Sequence, residues 1–358
     1  MRVDHLWLTD FRSYREAELA LAPTVTAIVG ANGEGKTNLV EAIAFLATTA
    51  SFRGAPNDAL VRVGADTAVV RAEAQRDQRN LLIEAELSVA GRTRIQVNRQ
   101  RLPRAKDLLG ALRVSVFSPD DLDLVKGAPG GRRRYLDDAL VALHPRNDQL
   151  RTDVERVLKQ RNALLRQAGG RLTDEVASTL EVWDDRLAVA GDRLGAARAQ
   201  LVASLVPELT RCYQVVAGVE VAVEALYRPE WLDMGLEAAL AGSREADLKR
   251  GVTTVGPHRD ELHLSIAGLP ARTHASQGEQ RSLAFALRMS IHTLVAASVE
   301  APPVLILDDV FSELDPSRSR ALLDAIPVAQ TILTTAGALP EGVRPEQRVV
   351  VEDGSLRA

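Results

Sequence analysis

One segment near the start of the chain, residues 28–46 (IVGANGEGKTNLVEAIAFL), strongly restricts the possible fold. Within it, Gly30, Gly35, Lys36 and Thr37 fit the pattern G-x-x-x-x-G-K-[ST], between an apolar run and a stretch with helical apolar spacing. Glycine costs roughly 0.5–1 kcal/mol relative to alanine inside regular structure, so the cluster predicts a backbone that closely approaches a ligand. Pattern and context together predict a phosphate-binding loop (P-loop) between a buried strand and a helix.

The P-loop pattern assigns a role to each of its residues. Backbone N–H groups of residues 33–37 and the helix N terminus are expected to surround the phosphates, with Lys36 at the β and γ oxygens and Thr37 on Mg²⁺. A glycine-rich turn without a ligand is the alternative, which the combination of pattern and context disfavours. The predicted nucleotide-binding residues are Gly30, Ala31, Asn32, Gly33, Glu34, Gly35, Lys36, Thr37 and Asn38.

A P-loop needs an acidic strand end to hold the metal, and PPVLILDDVFSELD (302–315) supplies one. Residues 304–307 are predicted to form a buried parallel strand that ends at Asp308, the expected partner of Mg²⁺ through a water molecule. Asp309 is placed to orient the attacking water, which makes Asp309 and Lys36 the candidate catalytic residues. The chain has no N/T-K-x-D guanine-recognition motif, so ATP is favoured over GTP.

A third segment, SQGEQRSLAFALRMSIHTLVAA (276–297), starts with Ser276 before a predicted helix and has Glu279 three residues later. That spacing is also an N-capping box, which is the common meaning of the bare pattern. The helix ends just before the Asp308 strand, and its N-terminal amides would suit a γ-phosphate. The residues alone do not say which subunit would provide that phosphate.

Composition limits the function classes. The chain has 358 residues, 46% of them hydrophobic, and its net charge of −4 argues against a uniformly basic nucleic-acid-binding surface. Basic residues are nevertheless concentrated locally, with eleven Lys/Arg against five Asp/Glu between Lys126 and Arg171. The single Cys212 excludes an internal disulfide, and neither a signal peptide nor an uncharged apolar span is recognised, which predicts a cytoplasmic protein.

The order of patterns predicts an α/β domain made from both chain ends, at 1–119 plus 250–358, with an inserted helical lobe at 120–249. Strand-like alternation after Ala68 predicts an antiparallel meander beside the nucleotide strand. Apolar stripes after Leu150 and from Val176 to Leu201 predict an antiparallel helical hairpin in the lobe.

Together these motifs resemble the ABC-type ATPase heads of the SMC group. More narrowly, GANGEGKTNLVEAI, VFSPDDLDLVKGAPGGRRRYLD, TTVGPHRDEL and ASQGEQRSLAFALR are similar to the RecF family of bacterial recombination mediators. The resemblance runs from residue 6 to about residue 315, nearly the whole chain. It implies an ABC/SMC-type P-loop head that forms ATP-dependent homodimers, hydrolyses ATP weakly with DNA stimulation, and binds gapped, single-stranded or junction DNA. It also implies that the protein assists RecO and RecR in loading RecA during repair, replication restart and SOS induction.

Carried onto this sequence, the resemblance places the signature residues Ser276, Gln277, Gly278 and Glu279 on ATP held by the partner subunit. Asp315 becomes an acid at the dimer contact, and Arg12 lies near the nucleotide. Many ABC heads have a glutamate at the position of Asp309, and a histidine where this chain has Thr334 and Thr335, which predicts slow hydrolysis. No glutamine sensor is recognised near residues 117–121.

Two polar segments keep alternative interpretations. His258, Arg259 and Asp260 form either a structural turn or a site that couples nucleotide to DNA. Arg132, Arg133 and Arg134 either contact DNA phosphates or lie on a solvated helix surface. For the whole chain, the alternatives are the energising subunit of a membrane transporter and an SMC-like chromosome protein. Only 272 positions separate Lys36 from Asp308, too few for a long coiled-coil arm.

Overall fold

The computed structural model describes residues 1–76, 79–299, 302–326 and 329–357. The strands are β1 (Arg2–Phe11), β2 (Tyr14–Ala20), β3 (Val25–Val29), β4 (Thr67–Arg76), β5 (Arg79–Ser88), β6 (Arg94–Val97), β7 (Gln100–Arg101), β8 (Val114–Phe117), β9 (Val223–Leu226), β10 (His263–Ile266), β11 (Leu269–Pro270), β12 (Val304–Asp308), β13 (Thr331–Thr335), β14 (Gln347–Glu352) and β15 (Ser355–Arg357). The α-helices are α1 (Lys36–Thr48), α2 (Asp123–Lys126), α3 (Pro129–Leu143), α4 (Asp148–Ala168), α5 (Asp174–Ala217), α6 (Glu230–Met234), α7 (Leu236–Arg250), α8 (Ala271–His274), α9 (Gln277–Val299) and α10 (Pro316–Ala325).

A six-stranded sheet in the order β15-β14-β3-β13-β12-β8 carries the P-loop strand. Strands β8, β12, β13, β3 and β14 are parallel, and only β15 pairs antiparallel. Every residue of β12 is buried, as expected for a parallel strand covered on both faces. The predicted buried strand ending at Asp308 is therefore confirmed, as is the assembly of this sheet from both ends of the chain.

A second six-stranded sheet, in the order β2-β1-β4-β5-β6-β7, is antiparallel and contains the predicted meander. The meander was expected beside the nucleotide strand, but it pairs with β1 and not with β3. Strand alternation sets which face of a strand is buried, but it does not identify the neighbouring strand. The two sheets are joined instead through α1, which packs against β1 and β4 of one sheet and β12 and β13 of the other.

Helix α1 is apolar on most of its surface because it lies between two sheets. Leu39, Ile43 and Leu46 are fully buried, and so are Val40 and Phe45 on the other sides of the helix. A helix surrounded by apolar contacts is a core helix. Burial of each such side chain contributes about 1.5–3 kcal/mol, so the residues that follow the P-loop are among the most firmly packed in the chain.

The chain divides into two compact units. The first comprises Met1–Leu122, Arg211–Glu220 and Gln277–Ala358, and the second comprises Asp123–Thr210 and Val221–Ser276. The first boundary lies within a few residues of the predicted one, whereas the return to the first unit falls after Ser276 and not after 249. The reason is that β10, which was predicted to belong to the ATP-binding domain, pairs antiparallel with β9 of the inserted unit.

The predicted helical hairpin corresponds to α4 and α5, of which α4 and the part of α5 up to Thr210 belong to the second unit. Leu165 of α4 packs with Leu180 of α5 and Leu248 of α7 in a small apolar cluster. Beside it, the fully buried Arg161 donates from Nε to Asp184 at 2.6 Å and from Nη1 to Asp247 at 2.7 Å. Two carboxylates on two other helices balance this buried guanidinium, so the charge pairs also fix how the three helices pack.

Helix α9 passes a length and hydropathy test for a membrane span, the only described helix that does. The most apolar 18-residue part of α9 is 56% buried within the protein, and α9 contributes residues such as Leu283, Ala286 and Leu287 to the interior of the first unit. Core helices pass the same test, so this single helix is weak evidence for a membrane span.

Candidate functional site: a nucleotide-binding centre

The P-loop lies at the carboxyl end of β3, where parallel α/β sheets place their ligand sites. Gly30 is required by space, because a Cβ there would lie 2.4 Å from the carbonyl oxygen of Val351 in β14. Gly35 is required by conformation, since its φ of 101° is one that L side chains rarely adopt. The glycines therefore allow a tight loop that leads directly into α1.

Lys36, the first residue of α1, turns its side chain back over the loop. Its Nζ donates to the carbonyl oxygens of Gly30 at 2.8 Å and Ala31 at 2.7 Å. Burial lowers the pKa of Lys36, while the nearby charges of Asp309, Asp308 and Glu34 act in the opposite direction. The ammonium group is thus held against the backbone of the loop.

Thr37 and Asp308 meet at the centre of the site, although 271 positions separate them in the chain. The Thr37 hydroxyl lies 2.9 Å from Oδ1 and 3.1 Å from Oδ2 of Asp308. Burial raises the pKa of Asp308, and hydrogen bonds from Thr334 and Thr37 oppose that shift. One hydroxyl and one carboxylate are hard oxygen donors of the kind that Mg²⁺ prefers, so the donor set fits that ion.

Asp309 occupies the left-handed region with φ of 50°. Its N–H donates to the main-chain carbonyl of Thr334 at 3.2 Å and to the Thr334 hydroxyl at 3.0 Å. Oδ1 of Asp309 is buried and accepts no hydrogen bond from the described residues. A buried acceptor without a protein partner requires another one, and an ordered water would satisfy it.

Arg12 lies in the first unit with the P-loop, but its guanidinium is engaged by the P-loop helix. Nε and Nη2 of Arg12 each donate at 2.8 Å to the carboxylate of Glu41, which is fully buried in α1. Nη1 donates to the carbonyl oxygen of Ala59 at 3.1 Å. This bidentate pair ties β1 to α1, and a direct contact between Arg12 and nucleotide stays a prediction.

The other predicted loop residues have different environments. Ala31, Asn32 and Gly33 are exposed at the tip, and Glu34 accepts a hydrogen bond from the N–H of Asp353 at 2.6 Å. Asn38, in the first turn of α1, donates from Nδ2 to the Ser13 hydroxyl at 2.9 Å. The exposed tip leaves its backbone amides accessible from solvent, as a phosphate site requires.

The signature segment and Asp315 are connected through Arg318. A Cβ on Gly278 would lie 2.7 Å from Nη1 of Arg318, so the guanidinium packs directly on this glycine near the start of α9. Nη1 also donates to Oδ2 of Asp315 at 2.9 Å, while Asp315 caps α10 by accepting from the Arg318 N–H. Hydrogen bonding from the Arg318 N–H lowers the pKa of Asp315. Gly278 and Asp315, both predicted to face a partner subunit, are thereby joined within the first unit.

The three consecutive arginines of α3 have unequal environments. Arg132 is 5% exposed and donates from Nε and Nη2 to the carboxylate of Glu261, at 2.6 Å and 2.9 Å. Arg133 is half-buried and donates to the carbonyl oxygen of Asp260 at 2.8 Å, whereas Arg134 is exposed. Arg132 is therefore withdrawn from the candidate DNA contacts, because its guanidinium is occupied by a buried ion pair. Arg134 stays a prediction.

The segment with His258, Arg259 and Asp260 belongs to a buried polar network of the second unit. Asp260 accepts hydrogen bonds from Nε1 of Trp231 at 2.7 Å and from the hydroxyl of Tyr227, and burial raises its pKa. His258 contacts the Thr253 carbonyl oxygen through Nε2 at 3.0 Å, and burial lowers its pKa to about 4. These contacts favour the structural interpretation of this turn.

Sequence reasoning missed two contributors to the site. Glu41 is a buried acid among the apolar residues of α1, and an acid on an otherwise apolar helix surface was the available signal. The hydroxyl of Thr334 donates to Oδ1 of Asp308 at 2.7 Å, although the residue was noted only as a departure from the histidine of other heads. In the segment 117–121, where no glutamine sensor was recognised, Asp121 accepts a hydrogen bond from Nε of Arg288 at 2.8 Å.

Comparison with known proteins supports one family. The profile described as the RecF/RecN/SMC N terminal domain matches residues 2–336. The DNA replication and repair protein RecF of Streptomyces avermitilis is 44% identical over 375 residues and is covered over 99% of both chains. The protein of the same name from Frankia alni is 43% identical over 380 residues, with full coverage of both chains.

Solved structures agree with the sequence comparison. The recombination mediator protein RecF with ATP, described as part of the RecFOR pathway, superposes with a TM-score of 0.91 at 28% identity, covering 99% of this chain and 97% of that one. An Smc head domain from Pyrococcus furiosus bound to the C-terminal domain of ScpA reaches a TM-score of 0.58 at 17% identity, covering 100% of this chain and 96% of that one, and shares the fold. The predicted α/β head of ABC/SMC type is thus confirmed, and the chain belongs to the RecF family of the RecF/RecN/SMC group.

Proposed function

We propose that this protein is an ATP-binding, ATP-dependently dimerising DNA-binding protein of recombinational repair. It acts in the cytoplasm at single-stranded gaps or single/double-strand junctions, and assists RecA loading, replication restart and SOS induction together with RecR and RecO. The observation that carries the proposal is the contact of Thr37 with Asp308 beside the buried ammonium of Lys36, in a chain of the RecF family. A RecF structure with ATP bound supports ATP as the nucleotide.

Each residue of the centre has a role that its position supports. The loop amides and Lys36 bind and orient the β and γ phosphates of ATP. Thr37 and Asp308 would hold Mg²⁺, which on binding neutralises charge that develops on the phosphates. Asp309 orients the attacking water through its carboxylate, of which Oδ1 is buried, and its shorter side chain compared with glutamate is consistent with slow hydrolysis.

The signature residues serve ATP bound by a second copy of the chain. Ser276 immediately precedes α9, and Gln277 and Gly278 form its first turn, where the N-terminal amides of a helix favour an anionic ligand. Arg318 contacts both Gly278 and Asp315, so the first turn of α9 and Asp315 would be presented to the partner together. ATP would therefore complete an interface between two copies.

Replacing Ser276 with arginine is expected to leave ATP binding by the monomer unchanged while ATP-induced dimers are lost. The long cationic side chain would occupy the space that the partner's γ-phosphate requires in the closed interface. Light scattering with and without ATP measures the dimer fraction, and equilibrium binding of ATP to the same preparation provides the control. Normal dimers in Ser276→Arg would contradict the assignment of this residue to the partner's nucleotide.

An Arg134→Ala variant is expected to weaken DNA binding equally across sequences, because phosphate contacts provide affinity without reading bases. The slope of log affinity against log salt should fall by about 0.9 for one lost duplex phosphate contact. Arg250→Ala, which removes the same charge from an exposed position of the same unit, is the matched control. Arg132 is unsuitable for this test, since its removal would leave the partly buried Glu261 carboxylate without its guanidinium partner.

A transporter subunit and a chromosome-structural protein are the competing classes. Both share the phosphate motifs, but neither accounts for 44% identity to a DNA replication and repair protein over 99% of the chain. Measuring ATP hydrolysis with and without gapped duplex DNA tests the proposal directly. We expect slow hydrolysis that gapped DNA stimulates, and an ATPase that is indifferent to DNA would count against it.

A further inference from the structure

Thr334 occupies a central position in the nucleotide-binding sheet. It lies near the carboxyl end of β13, which is hydrogen-bonded to β12 on one side and to β3 on the other. In that register, Thr334 is opposite Asp308 of β12 and Ile28 of β3. The residue is fully buried, so its hydroxyl must find its partners inside the protein.

The hydroxyl has two partners, and both belong to the acidic end of β12. It donates to Oδ1 of Asp308 at 2.7 Å and accepts from the N–H of Asp309 at 3.0 Å. A threonine hydroxyl has a single proton to donate, so this arrangement commits the proton to the Asp308 carboxylate. One side chain thus contacts both consecutive acids of the centre.

Each contact restrains something that the site needs. The Asp308 carboxylate accepts hydrogen bonds from the Thr334 hydroxyl of β13 and from the Thr37 hydroxyl of α1. These two contacts from different elements fix the orientation of the carboxylate. On Asp309, the contact holds the N–H of a residue in the left-handed region, with φ of 50°, which few residues other than glycine adopt and which aspartate tolerates better than most. The orientation of the metal carboxylate and the backbone of the water-orienting residue are therefore set together.

A buried threonine in a strand commonly satisfies its hydroxyl locally, and this chain contains such a case. Thr331, at the other end of β13, is also buried and donates to the carbonyl oxygen of Ala329, only two positions away. The partners of the Thr334 hydroxyl lie 26 and 25 positions away, and both are acids of the centre. Local satisfaction of a buried hydroxyl does not explain that choice of partners.

We propose that Thr334 is a positioning residue of the nucleotide-binding centre. Its hydroxyl orients the Asp308 carboxylate for Mg²⁺ and simultaneously holds the main chain of Asp309. The inference rests on the proposed function, since it assigns a role within the same ATP site.

The test compares Thr334→Val, Thr334→Ser and Thr331→Val. Valine keeps the volume and the branched Cβ of threonine without the hydroxyl, serine keeps the hydroxyl, and Thr331→Val makes the same change at the far end of the same strand. Binding of Mn²⁺ in the presence of ATP, followed by electron paramagnetic resonance, reports on the metal without requiring turnover. ATP binding in excess EDTA reports on the P-loop alone.

Thr334→Val should require about tenfold more Mn²⁺ for half-saturation. Removing a group that orients a metal-binding residue typically lowers metal affinity by about 10- to 100-fold, and we expect the lower end of that range. Its affinity for ATP in EDTA should be unchanged, and Thr334→Ser and Thr331→Val should both behave as the wild type. If Thr334→Val does not fold, as judged by circular dichroism, Thr334→Ala is expected to show the same shift.

Two results would overturn the inference: wild-type Mn²⁺ binding by Thr334→Val, or equal losses in folded Thr334→Val and Thr331→Val. Failure of Thr334→Ser to restore binding would also count against a role for the hydroxyl. These outcomes differ from failure of the proposed function, in which the wild-type protein itself would bind neither ATP nor Mn²⁺ with ATP.

Discussion

Replacing Lys36 with methionine is expected to weaken ATP binding by roughly 100-fold, because each lost hydrogen bond to a charged partner costs about 1.5–3 kcal/mol. The ammonium is the cation held inside the loop, and methionine has a similar length without charge or donors. The effect should be largest for ATP and ADP and small for adenosine, since the lysine acts on phosphate. Isothermal titration calorimetry with the three ligands measures this difference directly.

The control for Lys36→Met must separate loss of charge from damage to the loop. In this protein Nζ also binds the carbonyl oxygens of Gly30 and Ala31, so the substitution removes two intramolecular hydrogen bonds. Thermal unfolding without nucleotide reports that cost, and Lys249→Met removes a lysine from an exposed helix end as a matched variant. Wild-type affinity for ATP in Lys36→Met would remove the main functional claim.

An Asp309→Asn variant should bind ATP normally but hydrolyse it about 10²–10⁴-fold more slowly, the usual effect of losing a group that acts in general acid–base catalysis. Asparagine is the conservative choice, because it tolerates the left-handed conformation that Asp309 adopts and changes only the charge. Asp308 and Thr37 would remain available for Mg²⁺. ATP-bound dimers should therefore accumulate.

The same variant tests the functional class. If ATP closes the dimer around DNA and hydrolysis opens it, Asp309→Asn should dissociate from DNA more slowly than the wild type in excess ATP. Dimer fraction by light scattering and the dissociation rate from DNA at fixed salt are independent measurements on one preparation. Asp66→Asn removes an exposed carboxylate as the control. Wild-type dissociation by the trapped dimer would argue against a clamp on DNA.

The parts of the site that sequence alone predicted are those whose neighbours are close in the chain. The P-loop is a local structure, since the glycines, the lysine and the helix start follow one another within eight residues. The strand before Asp308 was also recognisable, because a continuous apolar run between two prolines and two acids is typical of a buried parallel strand. Pairing of these two segments followed from chemistry, as a phosphate site needs a metal partner.

The misplaced features depend on partners far away in the chain. Arg132 lies in a basic run after a glycine-rich turn, which suggests an exposed surface, yet its partner Glu261 is 129 positions further on. The predicted return to the ATP-binding domain was early for the same reason, because β10 has its strand partner β9 in the inserted unit. Alternation and charge density describe one segment at a time, and neither property identifies the opposite side of a contact.

The strand order of the parallel sheet has a consequence for protein synthesis. Strand β3, which leads into the P-loop, lies between β13 and β14, and Gly30 packs on Val351 near the end of the chain. A ribosome that has made the P-loop has therefore not yet made either of its flanking strands. The sheet around the P-loop strand is complete only after residues 347–352 have emerged, so we expect a polypeptide truncated before them to bind ATP more weakly than the full chain.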